Sequence, residues 1–196
     1  MVKPQQPTKK KTKIPAIKRN GSLLTRLLPI VIIGSDRVLD KKGQLYLRLL
    51  CRLTDKSHDE YSAAKEHIDN EIETKNKLAY SFSIINHLEN CINAIHRAAK
   101  TLKAAKKDKN RLLEYISKES LEKITRCNTS IIRHRIEHID DDIQKGTLRG
   151  AIFLHIDDNY EKICISDKCI TFNELVSIIE CYHEAVLEIC NNLPNR

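Results

Sequence analysis

No proline occurs between Pro29 and Pro194, and this long proline-free interval constrains the fold more than any other feature. Proline removes a backbone donor and clashes with the preceding helical turn, so its absence favours long helices over a turn-rich β-protein. The chain has 196 residues, of which 41% are hydrophobic and 31% charged, as expected for one globular domain with a proper core. A mainly α fold is therefore predicted.

Apolar residues recur at three- and four-residue steps over two long segments, and this spacing draws one face of a helix. Shorter helices are expected at residues 44–53 and 60–75, whereas residues 27–33 fit either a short buried strand or the end of a helix before Gly34. The first long stripe predicts a helix of about seven turns and comprises Leu78, Phe82, Ile85, Leu88, Ile92, Ile95, Ala99 and Leu102. The second predicts a helix over about residues 118–145, stopping at Gly146, and comprises Leu121, Ile124, Ile131, Ile132, Ile139 and Ile143.

The C-terminal part of the chain has a different pattern. Two apolar runs at residues 152–156 and 162–165 flank a polar turn and predict a β-hairpin. Thr171 and Glu174 have the spacing of a capping box in front of a last amphipathic helix. The fold class is therefore mainly α, a helical bundle with a small β-hairpin before the C-terminal helix.

The positive charge is concentrated in two places. Residues 1–20 contain seven cations and no acid, and we expect them to form a disordered basic tail before a single helical domain at 21–196. This tail is either a solubilising extension or an electrostatic tether to nucleic acid. Residues 97–111 hold seven cations and one acid at the end of the first long helix, where the macrodipole alone would favour them.

The seven cysteines are scattered, which indicates reduced and mostly buried thiols in a cytoplasmic protein. Cys164 and Cys169 lie on the hairpin with four residues between them and His155 opposite, which could suggest zinc. Because only two thiols are local, we interpret them as small buried hydrophobes. The longest apolar run, residues 27–33, is too short for a membrane span, so no membrane partner is expected.

Arginine followed after five or six positions by histidine is the spacing that suggests chemistry on RNA. Arginine neutralises a phosphate, and histidine moves a proton near neutral pH. The spacing alone is common by accident. The chain contains it three times, at Arg52–His58, Arg133–His138 and Arg149–His155.

Only Arg133–His138 lies inside a long predicted helix with a polar residue, His134, directly after the arginine. In this hypothesis Arg133 stabilises charge on a phosphate and His138 is the general base or acid. His134 orients His138 or carries the second proton. A five-residue helical step rotates by about 140°, so Arg133 and His138 would not share a face.

Two other interpretations of the same segment remain open. Arg133 and Glu137 have the spacing of an i,i+4 ion pair, which would leave His134 merely solvated. His134 and His138 could also hold a metal ion on one helix face, with Asp141 nearby. The predicted site contains neither a metal nor a cofactor.

With these residues, the segment resembles the HEPN domain family. Its hallmark is an arginine, a polar residue and then a histidine, matched here by Arg133, His134 and His138. The continuation through Glu137 and Asp140 is also similar to that of some uncharacterised members. Asp141 and Asp142 depart from it by replacing Glu and Arg.

The resemblance covers residues 78–145 and, more weakly, the hairpin and last helix. It implies a HEPN-like helical bundle, a homodimer that brings two motifs together, and metal-independent endoribonuclease activity on RNA. It also implies a toxin or phage-defence role, with a possible antitoxin or defence partner protein. Some HEPN members are catalytically inactive binding or assembly modules, and this remains the alternative.

Overall fold

The structure, a computed structural model, describes residues 14–18, 21–74, 77–127, 130–146 and 153–194. This part of the chain is mainly helical, with a small antiparallel sheet before the C-terminal helix, which confirms the predicted fold class. The helices are α1 (Leu23–Ile33), α2 (Lys41–Thr74), α3 (Lys77–Lys107), α4 (Lys118–Arg126), α5 (Ser130–Glu137), α6 (Ile139–Gln144) and α7 (Phe172–Asn192). The strands are β1 (His155–Ile156), β2 (Lys162–Ile165) and β3 (Lys168–Thr171).

α2 and α3 form the framework of the bundle and pack along one another. Their contact buries apolar residues of both helices, Leu50 and Ile68 from α2 and Leu88 and Ile95 from α3 among them. α2 runs without a break where the sequence predicted two separate helices. The polar stretch between those two predicted helices is helical too, because tertiary contacts satisfy its polar groups. The buried carboxylate of Asp55 accepts hydrogen bonds from the start of α1.

α1 resolves the ambiguity over residues 27–33, which form the end of a helix and not a strand. The helix begins at Ser22, whose hydroxyl accepts a hydrogen bond from the Thr25 amide. It ends at Gly34, which has a left-handed φ of 78° that suits glycine. Gly34 is therefore the helix C-cap that its position predicts.

α7 closes the core and carries the sheet at its start. Thr171 and Glu174 form the complete capping box expected from the sequence. The helix buries twelve of its 21 residues, including Leu175 and Ile179. In front of it the three strands are ordered β1-β2-β3, with both pairs antiparallel. β3 adds a strand that the predicted hairpin lacked.

The expected helix over residues 118–145 is not continuous, and this difference reshapes the candidate motif. α4 ends at Arg126, with Cys127 in an extended conformation, and α5 begins at Ser130. Cysteine is a weak helix former, which is consistent with the end of α4 before Cys127. A second interruption at His138 separates α5 from α6.

Residues 1–13 and 19–20 of the expected basic tail lie outside the described residues. Residues 14–18, assigned to the same tail from the sequence, instead lie against the bundle. Ile14 is buried in the core, and the Pro15 carbonyl accepts a hydrogen bond of 2.8 Å from the Tyr61 hydroxyl. The packed part of the chain therefore includes residues that precede position 21.

The cysteines depart from the expectation of reduced thiols at one place. Cys164 and Cys169 face each other across β2 and β3 and are joined by a disulfide. The interpretation of these two as small buried hydrophobes is therefore wrong, because the turn between the strands brings them into register. Five other cysteines are free thiols, and four of these are buried.

Among the described helices, none combines the length and the apolar character that crossing a bilayer would require.

Candidate functional site

α5 is held in place by its apolar face. Ile132 is buried, and Ile136, one turn later, packs against the core. The helix contacts α3 and the strands β2 and β3. Because the two isoleucines point inward, Arg133 lies half-buried at the edge of the bundle, and His134 lies on the exposed surface.

Arg133 forms the i,i+4 ion pair that its spacing predicts. Its Nη2 lies 2.5 Å from Oε1 of Glu137, and the arginine side chain is 22% exposed. A guanidinium has five N–H donors, so one ion pair leaves further donors for another anion. The ion pair therefore fixes the direction of the side chain.

His138 lies at a corner between two helices. Its φ and ψ are −114° and 16°, and its amide still donates to the His134 carbonyl at 3.1 Å. α6 starts immediately afterwards, and its first turn in the sequence is rich in aspartate, which suits the positive end of a helix dipole. Because the hydrogen bond from the His138 amide to the His134 carbonyl is helical, the rotation of about 140° between Arg133 and His138 still applies, and the corner changes the direction of the chain after His138.

The corner brings two imidazoles and a carboxylate together. The ring centroids of His134 and His138 are 4.3 Å apart, and Nδ1 of His138 lies 3.0 Å from Oδ2 of Asp141. The hydrogen bond from His138 holds the pKa of Asp141 below its ordinary value, so the carboxylate is ionised. An ionised acceptor on Nδ1 favours the proton on that nitrogen and leaves Nε2 to exchange a proton with a ligand.

Three polar residues of α3 face the motif from the interior side. Glu89, Asn93 and His96 follow one another at the spacing of a single helix face. Burial raises the pKa of Glu89, and the nearby Arg133 partly offsets this. Burial, followed by Lys100, lowers the pKa of His96, while Glu137 opposes the shift and Arg133 adds to it.

Among the residues that the structure describes, two atoms on this α3 face are buried and have no hydrogen-bond partner. They are Oδ1 of Asn93 and Nε2 of His96. A buried polar atom that lacks a partner costs stability, so these atoms mark where a polar ligand would gain most. His87, another polar residue of α3, instead contacts Glu60 of α2, with 2.7 Å between its Nδ1 and Oε2 of the glutamate.

The structure brings together some of the predicted site residues and leaves others apart. His134 and His138 are in contact, whereas no hydrogen bond joins Arg133 to His138 within the described residues. Glu89, Asn93 and His96 could not be selected from the sequence, because only the packing of α5 on α3 distinguishes them from other polar residues of α3. In the part of the chain that the structure describes, no three His, Cys, Asp or Glu side chains are grouped to hold a metal ion.

No family model matches the sequence, and no significant match was found among curated proteins or solved structures. The functional interpretation therefore depends on the geometry of this site and on the chemistry of its residues.

Proposed function

We propose that this chain is a metal-independent endoribonuclease of the HEPN type, with Arg133, His134 and His138 as its catalytic residues. One observation carries the proposal, namely the contact between the His134 and His138 rings with His138 oriented by Asp141. Two adjacent imidazoles supply an acid and a base in one place, which is what RNA cleavage needs when no metal ion takes part.

The proposed reaction is an attack by a ribose 2′-hydroxyl on the neighbouring phosphate. Nε2 of His138 takes the hydroxyl proton while the 2′-oxygen forms a bond to phosphorus. The bond from phosphorus to the 5′-oxygen breaks, and the protonated His134 gives its proton to that leaving oxygen. The products are a 2′,3′-cyclic phosphate and a 5′-hydroxyl, and no further reactant is consumed.

Arg133 stabilises the charge that develops on the phosphate oxygens during this attack. Its ion pair with Glu137 fixes the direction of the guanidinium. A guanidinium has five N–H donors, so donors other than the one bound to Glu137 would contact the phosphate. Preorganised donors of this kind contribute because they need no rearrangement as the charge develops.

The alternative is a catalytically inactive HEPN-like binding or assembly module. The Arg133–Glu137 ion pair favours it, because a carboxylate 2.5 Å from the guanidinium neutralises the cation that a phosphate would need. In this alternative the two histidines are surface residues that stabilise the corner between α5 and α6.

The biological setting of the proposal comes from the resemblance to HEPN domains. A homodimer would bring two motifs together on one RNA, and the protein would act in the cytoplasm as a toxin or phage-defence effector. An antitoxin or a defence partner protein would then control it.

Incubation of the purified protein with total RNA in the presence of EDTA tests the proposal. We expect cleavage that survives chelation and yields 2′,3′-cyclic phosphate ends. His138→Ala should slow cleavage by about 100- to 10,000-fold, the usual contribution of a general acid or base. Arg133→Ala should slow it by roughly 100- to 1,000-fold, as for loss of one oxyanion donor.

Arg52→Ala and His155→Ala are the matched controls, since both residues are exposed and belong to the two other arginine–histidine spacings. Neither should change the rate. Absence of cleavage, or cleavage that persists in both motif variants, contradicts the ribonuclease. RNA bound but left intact supports the module.

A further inference from the structure

A cleft of about 660 Å³ lies between α3 and α4. Its volume falls within the range of natural ligand sites. One wall is the C-terminal half of α3, the other is α4, and Tyr182 of α7 lies at its base.

The rim of this cleft is strongly basic. Lys100, Lys103 and Lys106 line it from α3 and Arg126 from α4, and no acidic residue lines it. Arg126 is 3.6 Å from Glu122, whereas the three lysines make no ion pair within the described residues. The positive charge of the three lysines is therefore not compensated locally.

The arrangement of the lysines is not explained by the helix dipole alone. Lys106 lies in the last turn of α3, where a cation is favoured, but Lys100 and Lys103 lie before that turn. Like charges three residues apart repel one another, at a rise of about 4.5 Å per step. A row of cations on one wall of a cleft therefore indicates an anionic ligand that extends along the helix.

The floor of the cleft is apolar, with Leu102, Ile124 and Tyr182 buried there. A basic rim above an apolar floor matches the chemistry of single-stranded nucleic acid, whose phosphates and bases present charged and apolar surfaces. A duplex would keep its bases stacked inside and would gain nothing from such a floor.

The cleft and the candidate motif are connected through α3. His96 of α3 lines the cleft, and α3 also packs against α5, which carries Arg133. Besides burial, the largest cause, Lys100 of the cleft and Arg133 of the motif both contribute to lowering the pKa of His96. Its Nε2 is buried and has no partner in the described part of the chain. α3 therefore forms a wall of the cleft and also supports the helix that carries the motif.

We propose that the cleft between α3 and α4 binds the phosphate backbone of single-stranded RNA through Lys100, Lys103 and Lys106 and leads the strand to Arg133 and His138. This inference rests on the proposed ribonuclease for the direction of the strand. The binding itself does not require that cleavage occur.

Fluorescence anisotropy with a short labelled single-stranded RNA tests the inference on the full-length chain carrying His138→Ala, which keeps the RNA intact. The triple variant Lys100→Gln, Lys103→Gln and Lys106→Gln should bind roughly 10- to 100-fold more weakly near 0.1 M salt. Its plot of log K against log salt should be flatter by about 2, because each phosphate contact to a single strand contributes about 0.7.

The matched control replaces Lys41, Lys107 and Lys118 with glutamine, three exposed lysines that remove the same charge and do not line the cleft. Thermal unfolding confirms that both triple variants fold. If the two variants have equal RNA affinities and equal salt slopes, the proposal that the cleft binds RNA is overturned. A labelled mononucleotide is measured alongside the RNA. If the cleft variant loses mononucleotide binding but keeps RNA binding, the proposed RNA-binding role of the cleft is overturned.

The same variants on the otherwise native chain separate failure of the cleft from failure of the ribonuclease. If RNA is cleaved and the cleft variant binds and cleaves as well as its control, the cleft is wrong and the enzyme stands. If RNA is never cleaved but binding is lost selectively in the cleft variant, the enzyme is wrong and the cleft stands.

Discussion

α7 and the α5–α6 segment are built on different physical principles. α7 is 21 residues long, begins at a complete capping box and buries twelve residues. α5 and α6 have eight and six residues, and α6 starts at His138 without a side-chain cap. Among the side chains described in α5 and α6, Ile132 alone is buried.

This difference shows which contacts stabilise the fold and which do not. His138 and Asp141 are about half exposed, and ion pairs at that exposure contribute about 0–1 kcal/mol. Burial of an apolar side chain such as those of α7 contributes roughly 1.5–3 kcal/mol. The fold therefore gains little from the polar pairing in the motif.

The largest expected difference in stability is between two variants, each of which truncates one isoleucine, in α7 and in α6 respectively. Ile179 of α7 is fully buried, and Ile179→Ala should lower the free energy of unfolding by about 2–5 kcal/mol because it leaves a cavity. Ile143 of α6 is 49% exposed, and Ile143→Ala should stay within about 0.5 kcal/mol. Urea unfolding of both variants measures the two values.

A large decrease in the free energy of unfolding of Ile143→Ala would contradict the distinction between the two regions, because it would mean that α6 is covered in solution. Repeating the unfolding at several protein concentrations identifies the cover, because stability that depends on concentration requires a second copy of the chain.

A smaller effect is expected at the N-cap residue of each helix, Thr171 for α7 and His138 for α6. Thr171→Ala removes the hydroxyl that caps α7 and should cost about 1 kcal/mol. His138→Ala at the start of α6 removes no side-chain cap and should cost less than about 0.5 kcal/mol. Equal losses in the two variants, measured by thermal unfolding, would contradict the distinction between the regions.

The same contrast explains how much of the fold the sequence could predict. α7 was predictable because its capping box and its apolar periodicity agree with each other. α2 was divided in two, because the polar stretch around Asp55 suggested a loop. That carboxylate is instead buried beneath α1, and a contact between residues 33 apart leaves no local signal.

The candidate site was predictable as a set of residue types but not as an arrangement. Arg133, His134 and His138 were identified from their spacing, whereas the corner at His138 was not, because apolar periodicity continues across it into Ile139 and Ile143. Glu89, Asn93 and His96 depend on how α5 docks on α3, and that docking is a tertiary fact. The pairing of Cys164 with Cys169 likewise followed from a strand register that the sequence had left incomplete.

The smallest expected effect concerns pH and the boundary between the two regions, where His96 lies. The pKa of His96 is lowered from its ordinary value of 6.5, first by burial and then by Lys100. The unfolded chain therefore binds a proton more readily than the folded chain does. The stability associated with the neutral ring is present above about pH 6.5 and is lost as the pH falls below it.

Wild-type protein should consequently lose stability between about pH 7.5 and pH 5.5, and His96→Gln should lose less over the same interval. His155→Gln, at an exposed histidine of β1, is the matched control and should follow the wild type. Urea unfolding across this interval measures the slopes. If the stability of His96→Gln has the wild-type slope against pH, His96 is solvated in the folded protein. Its burial between the α3 cleft and Arg133 is then contradicted.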